Sequence, residues 1–133
     1  MAVHVVKALI ERDDNVLAVL ENDSTLWKYP GGRQKNGEDP RKALSREIQE
    51  ELGTKVASME YVDKLDEGHP QKTERYRVMY YDVVLVDNPD ACGDIARLIW
   101  IPINDLLTES KRPERALLYP AYRDTDKRFA HRA

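Results

Sequence analysis

The sequence predicts an α/β domain with a mixed β-sheet, and three observations carry that expectation. Several segments are dense in Val, Ile and Tyr and are separated by turn formers, the mark of β-strands. Residues 40–52 place Leu44, Ile48 and Leu52 four apart between good capping residues, the mark of an amphipathic helix. Strand-like segments resume after that helix, which favours helices packed on a sheet over an all-α or all-β arrangement.

The elements follow in order. Residues 3–11 (VHVVKALIE) and 15–21 (NVLAVLE) read as strands around the turn RDDN. The helix over 40–52 has Asp39 as its N-cap, Pro40 at the first helical position and Gly53 as a left-handed C-terminal cap. A strand is expected over 54–65, then the strongest strand signal in the chain over 74–86, the two paired through DEGHPQK. On the second of these, Arg75, Arg77, Met79 and Tyr81 share one face, and Tyr76, Val78 and Tyr80 the other. A shorter strand follows over 96–103, PINDLL adds a brief turn of helix, and 113–119 forms a further helix opening on Pro113.

Length and charge bound the function. A chain of 133 residues makes one domain, 1–133, with room for a real core. Residues 1–110 carry 14 Lys/Arg against 21 Asp/Glu, and residues 111–133 carry 7 against 3. An acidic body argues against nucleic acid as a partner, and the basic tail is expected to be solvated and loosely held. The longest apolar runs, such as VVLV, are far too short to cross a bilayer, and the first residues lack a secretory pattern. A single cysteine, Cys92, permits no internal disulfide and fits a reducing, cytoplasmic compartment. The composition is compatible with a homodimer.

Chemistry concentrates in YPGGRQKNGEDPRKALSREIQEELGT, residues 29–54. On a helical wheel of about 100° per residue, Glu47, Glu50 and Glu51 fall together beside the buried stripe, behind the glycine turn. Like charges at such spacing repel by a few tenths of a kcal/mol per pair, so an isolated acidic stripe is more often a solvated face. A hard divalent cation offers another reason for it. Mg²⁺ takes oxygen ligands and is commonly shared between carboxylates and substrate phosphates, and the glycines let a backbone carbonyl approach as well. Hydrolysis of a phosphoanhydride is the reaction that such a site serves.

The same stretch resembles the signature of the Nudix hydrolases: G, five residues, E, seven residues, R-E, an aliphatic, any residue, E-E, any residue, G, an aliphatic. Gly32, Glu38, Arg46, Glu47, Ile48, Glu50, Glu51 and Gly53 match without a gap over 32–54; only Thr54 departs, at a position that packs the helix exit. The resemblance implies the family's α/β/α sandwich. It also implies that Glu50 and Glu51 bind metal, that Glu47 binds metal or acts as general base, and that Arg46 orients Glu47. Gly31 would lend its carbonyl to the metal, and Asp94, six residues before Trp100, would be an extra acidic ligand. Glu38 either pairs within the loop–helix element or helps cap the helix. Mg²⁺ is the implied cofactor, with Mn²⁺ as a substitute.

Substrate residues are read from position. Arg33, directly after the turn, is placed for phosphate; Trp27 or Tyr29 could stack on a base or simply pack. Arg75 and Arg77 could reach phosphates or form cross-strand ion pairs. His4 and His69 show no zinc-ligand spacing. Two readings result. The first is a Mg²⁺-dependent pyrophosphohydrolase of a nucleoside triphosphate or an oxidised nucleotide, with ADP-ribose or a dinucleoside polyphosphate less favoured. Pro70, sixteen residues past Thr54, resembles a position of ADP-ribose-cleaving members, but the short chain resembles the minimal nucleotide-sanitising ones. The second is a nucleotide-sensing module without catalysis, which a missing carboxylate would favour; none is missing.

Overall fold

Residues 2–127 are described by the structure, a computed structural model of the chain. The first strand, β1 (Ala2–Leu9), explains the architecture. Val5 and Leu9 enter one core while Val6 and Ala8 enter another on the opposite face. A strand buried on both sides reads as a nearly unbroken apolar run rather than an alternation, which is how VHVVKALI reads.

Two sheets meet between these cores. One has the order β4-β1-β6-β5, with β4 (Gly31–Arg33), β5 (Val56–His69) and β6 (Lys72–Leu85). The other has the order β2-β3-β7, with β2 (Glu11–Arg12), β3 (Asn15–Glu21) and β7 (Ile95–Pro102). β1 runs parallel to β6 and antiparallel to β4, and β5 runs antiparallel to β6, so the sheet is mixed as expected. Helix α1 (Pro40–Leu52) covers one core with Ala43, Leu44, Ile48 and Leu52. Helices α2 (Ile103–Thr108) and α3 (Tyr119–Arg123) cover the other with Ile103, Leu106, Tyr119 and Tyr122. The result is helix, sheets, helix.

Several expectations need correction. The strand foreseen over 3–11 breaks at Ile10 and changes sheet: its first part pairs with β4 and β6, while its last residue, Glu11, pairs with β3 together with Arg12. Asp13 and Asp14 turn the chain there with φ of 51° and 63°, a left-handed conformation that aspartate tolerates better than most residues. The two strands around DEGHPQK extend through most of it, leaving only Pro70 and Gln71 between them. The glycine turn is itself a short strand. The helix foreseen over 113–119 is a single 3₁₀ turn, Pro113–Arg115, followed by α3. Pro120 has no N–H to offer the Ala116 carbonyl, so a continuous helix cannot pass it. The basic tail is docked as far as it is described: Tyr119, Ala121 and Tyr122 are buried, and the Lys127 ammonium lies 3.1 Å from both Glu11 Oε2 and Asp82 Oδ1. Residues 128–133 lie outside the described part.

Candidate active site

Helix α1 is fixed at both ends by the foreseen caps. Asp39 Oδ1 accepts from the Arg41 N–H at 2.8 Å, and Gly53 takes φ of 69° while its N–H bonds the Gln49 carbonyl. Thr54, the one departure from the signature, is buried, and its hydroxyl accepts from the Asp87 N–H at 3.0 Å. A polar side chain is therefore accommodated at that position by a local hydrogen bond.

The helix lays its acidic flank against β4. Glu51 is 9% exposed and accepts from the Gly31 N–H at 3.1 Å through Oε1. Burial pushes its carboxyl up, against the opposing pull of Lys28, Lys7 and that N–H. Glu47 lies so close to Gly32 that a Cβ there would sit 2.7 Å from its carboxylate. At Gly31, φ is 139° and a Cβ would sit 2.0 Å from the Val6 carbonyl oxygen. Both glycines are thus required, one by the backbone and one by the carboxylate.

Arg46 organises the entry to this flank. Its Nε and Nη2 donate to the two oxygens of Glu38 at 3.0 Å each, Nη1 donates to Glu47 Oε1 at 2.9 Å, and Nη2 donates to the Arg33 carbonyl at 3.3 Å. The arginine pairing holds the Glu38 carboxyl down to about 2, and Glu38 also accepts from the Lys35 N–H at 2.9 Å. Of its two foreseen roles, Glu38 takes the pairing one; the cap is Asp39.

Sequence reading missed the cations. Lys28 Nζ lies against a Glu21 carboxylate oxygen, 3.5 Å from Glu51 Oε2 and 3.5 Å from the Gly31 carbonyl. Burial opposes its charge, but Glu51 and Glu21 outweigh burial and hold its pKa up. Lys7 is half-buried nearby, donating to the Tyr29 carbonyl at 3.3 Å, and desolvation together with the Lys28 charge drives its pKa down. The signal was there: Lys7 stands at a core-facing position of β1, between Val5 and Leu9, where an unpaired charge is costly.

Two clefts adjoin. The acidic one is lined by Gly31, Glu47, Glu50, Glu51 and Asp94; the other, of about 200 Å³, by Lys7, Glu67, Tyr76, Val78 and Tyr80. Glu21, Lys28, Gly32, Arg33 and Lys72 line both. Glu67 accepts from the Tyr80 hydroxyl at 2.7 Å, and burial pushes its carboxyl up. Arg33 is exposed, with a long ion pair of 3.5 Å to Glu74. Tyr29 lines the second cleft but offers no open face for stacking: it is 1% exposed, set edge-on to Tyr80, and its hydroxyl donates to the Leu118 carbonyl. Trp27 lines neither cleft, and Arg97 lies over its ring. The two foreseen aromatic contacts therefore pack rather than stack. Arg77 pairs across strands with Asp66 at 3.0 Å, the plainer of its two readings.

The donor set suits a hard divalent cation, because Glu47, Glu50 and Glu51 of α1 and the Gly31 carbonyl of β4 all offer oxygen to the acidic cleft. The Lys28 ammonium, seated among Glu21, Glu51 and the Gly31 carbonyl, marks where positive charge is accepted. Among the described residues no three His, Cys, Asp or Glu side chains already converge closely enough to hold a metal ion. Arg46 draws Glu47 and Glu50 to itself, while Lys28 and Gly31 hold Glu51.

Comparisons with known proteins give the family and match the fold. The chain is 39% identical over 127 residues to the CTP pyrophosphohydrolase of Escherichia coli (strain K12), a match covering 89% of this chain and 82% of that protein. An 8-oxo-dGTP diphosphatase of Proteus vulgaris is 37% identical over 47 residues, 35% of this chain and 42% of that protein. In fold, the MutT NUDIX hydrolase of Burkholderia pseudomallei aligns with a TM-score of 0.74 at 21% identity, covering 87% of this chain and 92% of that one. The NUDIX domain family model matches residues 1–122, the segment that holds both clefts and the whole signature. This chain belongs to the NUDIX hydrolases.

Proposed function

We propose that the chain is a Mg²⁺-dependent pyrophosphohydrolase that cleaves a phosphoanhydride bond in a nucleoside triphosphate or an oxidised nucleotide. The observation that carries this reading is the shared wall between the clefts, where Lys28, Arg33 and Lys72 stand between carboxylates on one side and a second hollow on the other. Phosphates lying along that wall would meet cationic side chains, with the base beyond them. The similarity to a CTP pyrophosphohydrolase supports this substrate class. The hollow of about 200 Å³ adjoins the acidic cleft, so base and phosphates would occupy neighbouring spaces.

Glu47, Glu50, Glu51, Asp94 and the Gly31 carbonyl would hold the cation, and Mn²⁺ would substitute for Mg²⁺. Such an ion, when bound, supplies charge to offset the phosphates and polarises water. The protein's own residues do the rest. Arg33, Lys28 and Lys72 bind and orient the phosphates. Glu47, held by Arg46 and pressed against Gly32, is positioned to accept a proton from the attacking water. Arg46 is a positioning residue, locked in turn by Glu38.

The test is a panel of nucleoside triphosphates, 8-oxo-dGTP, ADP-ribose, a dinucleoside polyphosphate and a nucleotide sugar, each with Mg²⁺ or Mn²⁺. A nucleoside monophosphate should be released from a triphosphate or oxidised nucleotide, and Glu51→Gln should lose roughly 10²-fold or more by removal of a ligand oxygen. Full turnover in Glu51→Gln rejects the site assignment. Tight binding of a nucleotide without release of any product favours the sensing module instead.

A further inference from the structure

The inner face of β5 carries a residue that packing does not ask for. Leu65 on this face packs against the core, and Glu67, two residues on, follows it on the same side. A carboxylate at a core-facing strand position is disfavoured unless something needs it there. Tyr80 accounts for one oxygen, donating to Oε2 at 2.7 Å. Among the described residues Oε1 accepts no hydrogen bond. Directly across the strand pair from Glu67 stands Tyr76, 9% exposed, whose buried hydroxyl has no partner among the described residues. Both residues line the second cleft. Glu67 thus brings to the cleft a carboxylate oxygen with no hydrogen-bond donor among the described residues, where the reading above puts the base.

We propose that Glu67 reads the base, accepting a hydrogen bond from an exocyclic amino group, so that the site favours amino-bearing bases over their oxo counterparts. This inference rests on the nucleotide-hydrolysis reading. A carboxylate that receives Tyr80 is an acceptor, and the 4-amino group of cytosine is a donor. The 4-oxo group of uracil is a second acceptor in the same place, leaving two oxygens opposed and unpaired. Adenine and hypoxanthine differ in the same way at position 6. A glutamine at 67 offers an NH₂ group and removes the distinction.

The experiment compares CTP with UTP, and ATP with ITP, each pair nearly identical in shape. Turnover is measured as kcat/KM with Mg²⁺. Equilibrium binding of the non-hydrolysable α,β-methylene analogues of CTP and UTP is measured in parallel. The amino member of at least one pair should be preferred by tenfold or more. Glu67→Gln should cut that preference by about tenfold while the thermal midpoint stays near that of the wild type. The α,β-methylene analogues should show the cytidine preference wherever turnover does. Equal use of both members in both pairs, a preference that survives Glu67→Gln, or no binding of either analogue overturns the proposal. The wild-type ratios decide the matter even where the variant does not fold. Should no triphosphate be cleaved while the cytidine analogue binds better, the hydrolase reading falls and the role of Glu67 stands.

Discussion

Gly31 and Gly32 are adjacent yet serve different ends, and two substitutions separate them. A Cβ on Gly31 would collide with the backbone of β1 at Val6, and its φ of 139° suits glycine alone. Gly31→Ala should therefore destabilise the fold by about 2–4 kcal/mol, combining overpacking with backbone strain, as measured by urea denaturation. A Cβ on Gly32 would meet only the carboxylate end of Glu47, a flexible group that can swing aside. Gly32→Ala should shift the denaturation midpoint little but lower kcat at least tenfold, because Glu47 loses its position. Equal stability loss in both variants would show that Gly32 is held by packing and not by the site. Lys28 belongs to the same scale. Its ammonium competes for the oxygens that a divalent ion would use, so Lys28→Met should bind Mn²⁺ more tightly in a direct titration while KM for the triphosphate rises.

At the scale of an element, α1 is a helix whose caps and ion pairs all bear on the site. Asp39 caps two N–H groups, and Asp39→Ala should cost about 1 kcal/mol. The Glu38–Arg46 fork ties the loop before the helix to its acidic flank, and it gives a pH signature. The folded state lowers the Glu38 carboxyl from its ordinary 4.5 to about 2. A depressed carboxylate contributes stability that is fully present above 4.5 and is lost as pH falls toward 2. The gap in melting temperature between the wild type and Glu38→Gln should therefore be constant near neutrality and close between pH 4.5 and 2. A gap unchanged across that window would mean that the pair adds nothing to folding.

The whole molecule depends on its C-terminal segment more than charge alone would suggest. Tyr122 and Tyr119 fill the second core, and Lys127 neutralises Glu11 at the sheet crossing and Asp82 on β6. Burial opposes the Lys127 charge, but the two carboxylates hold its pKa up. Lys127→Met should destabilise by about 1–3 kcal/mol, discounted from the cost of a fully buried pair because Asp82 is partly exposed. An undiminished midpoint in urea would mean that the segment is held by its tyrosines alone.

Much of this was written locally in the chain. Helix α1, its caps, the strands and the 32–54 signature are legible because capping, periodicity and fixed spacing relate residues a few positions apart. The strand break at Ile10 was misjudged because sheet exchange depends on distant partners. The sequence by itself determined the fold class, the acidic flank of α1 and the family. Only the tertiary structure decided that Tyr29 and Trp27 pack, that Lys7, Lys28 and Lys72 gather beside those carboxylates, and that Glu67 faces the same hollow. Those residues sit on β1, the β3–β4 connection, β5 and β6, and what brings them together is the hydrogen-bond register of paired strands. Strand pairing across such separations leaves no mark in the residues on either side of each one.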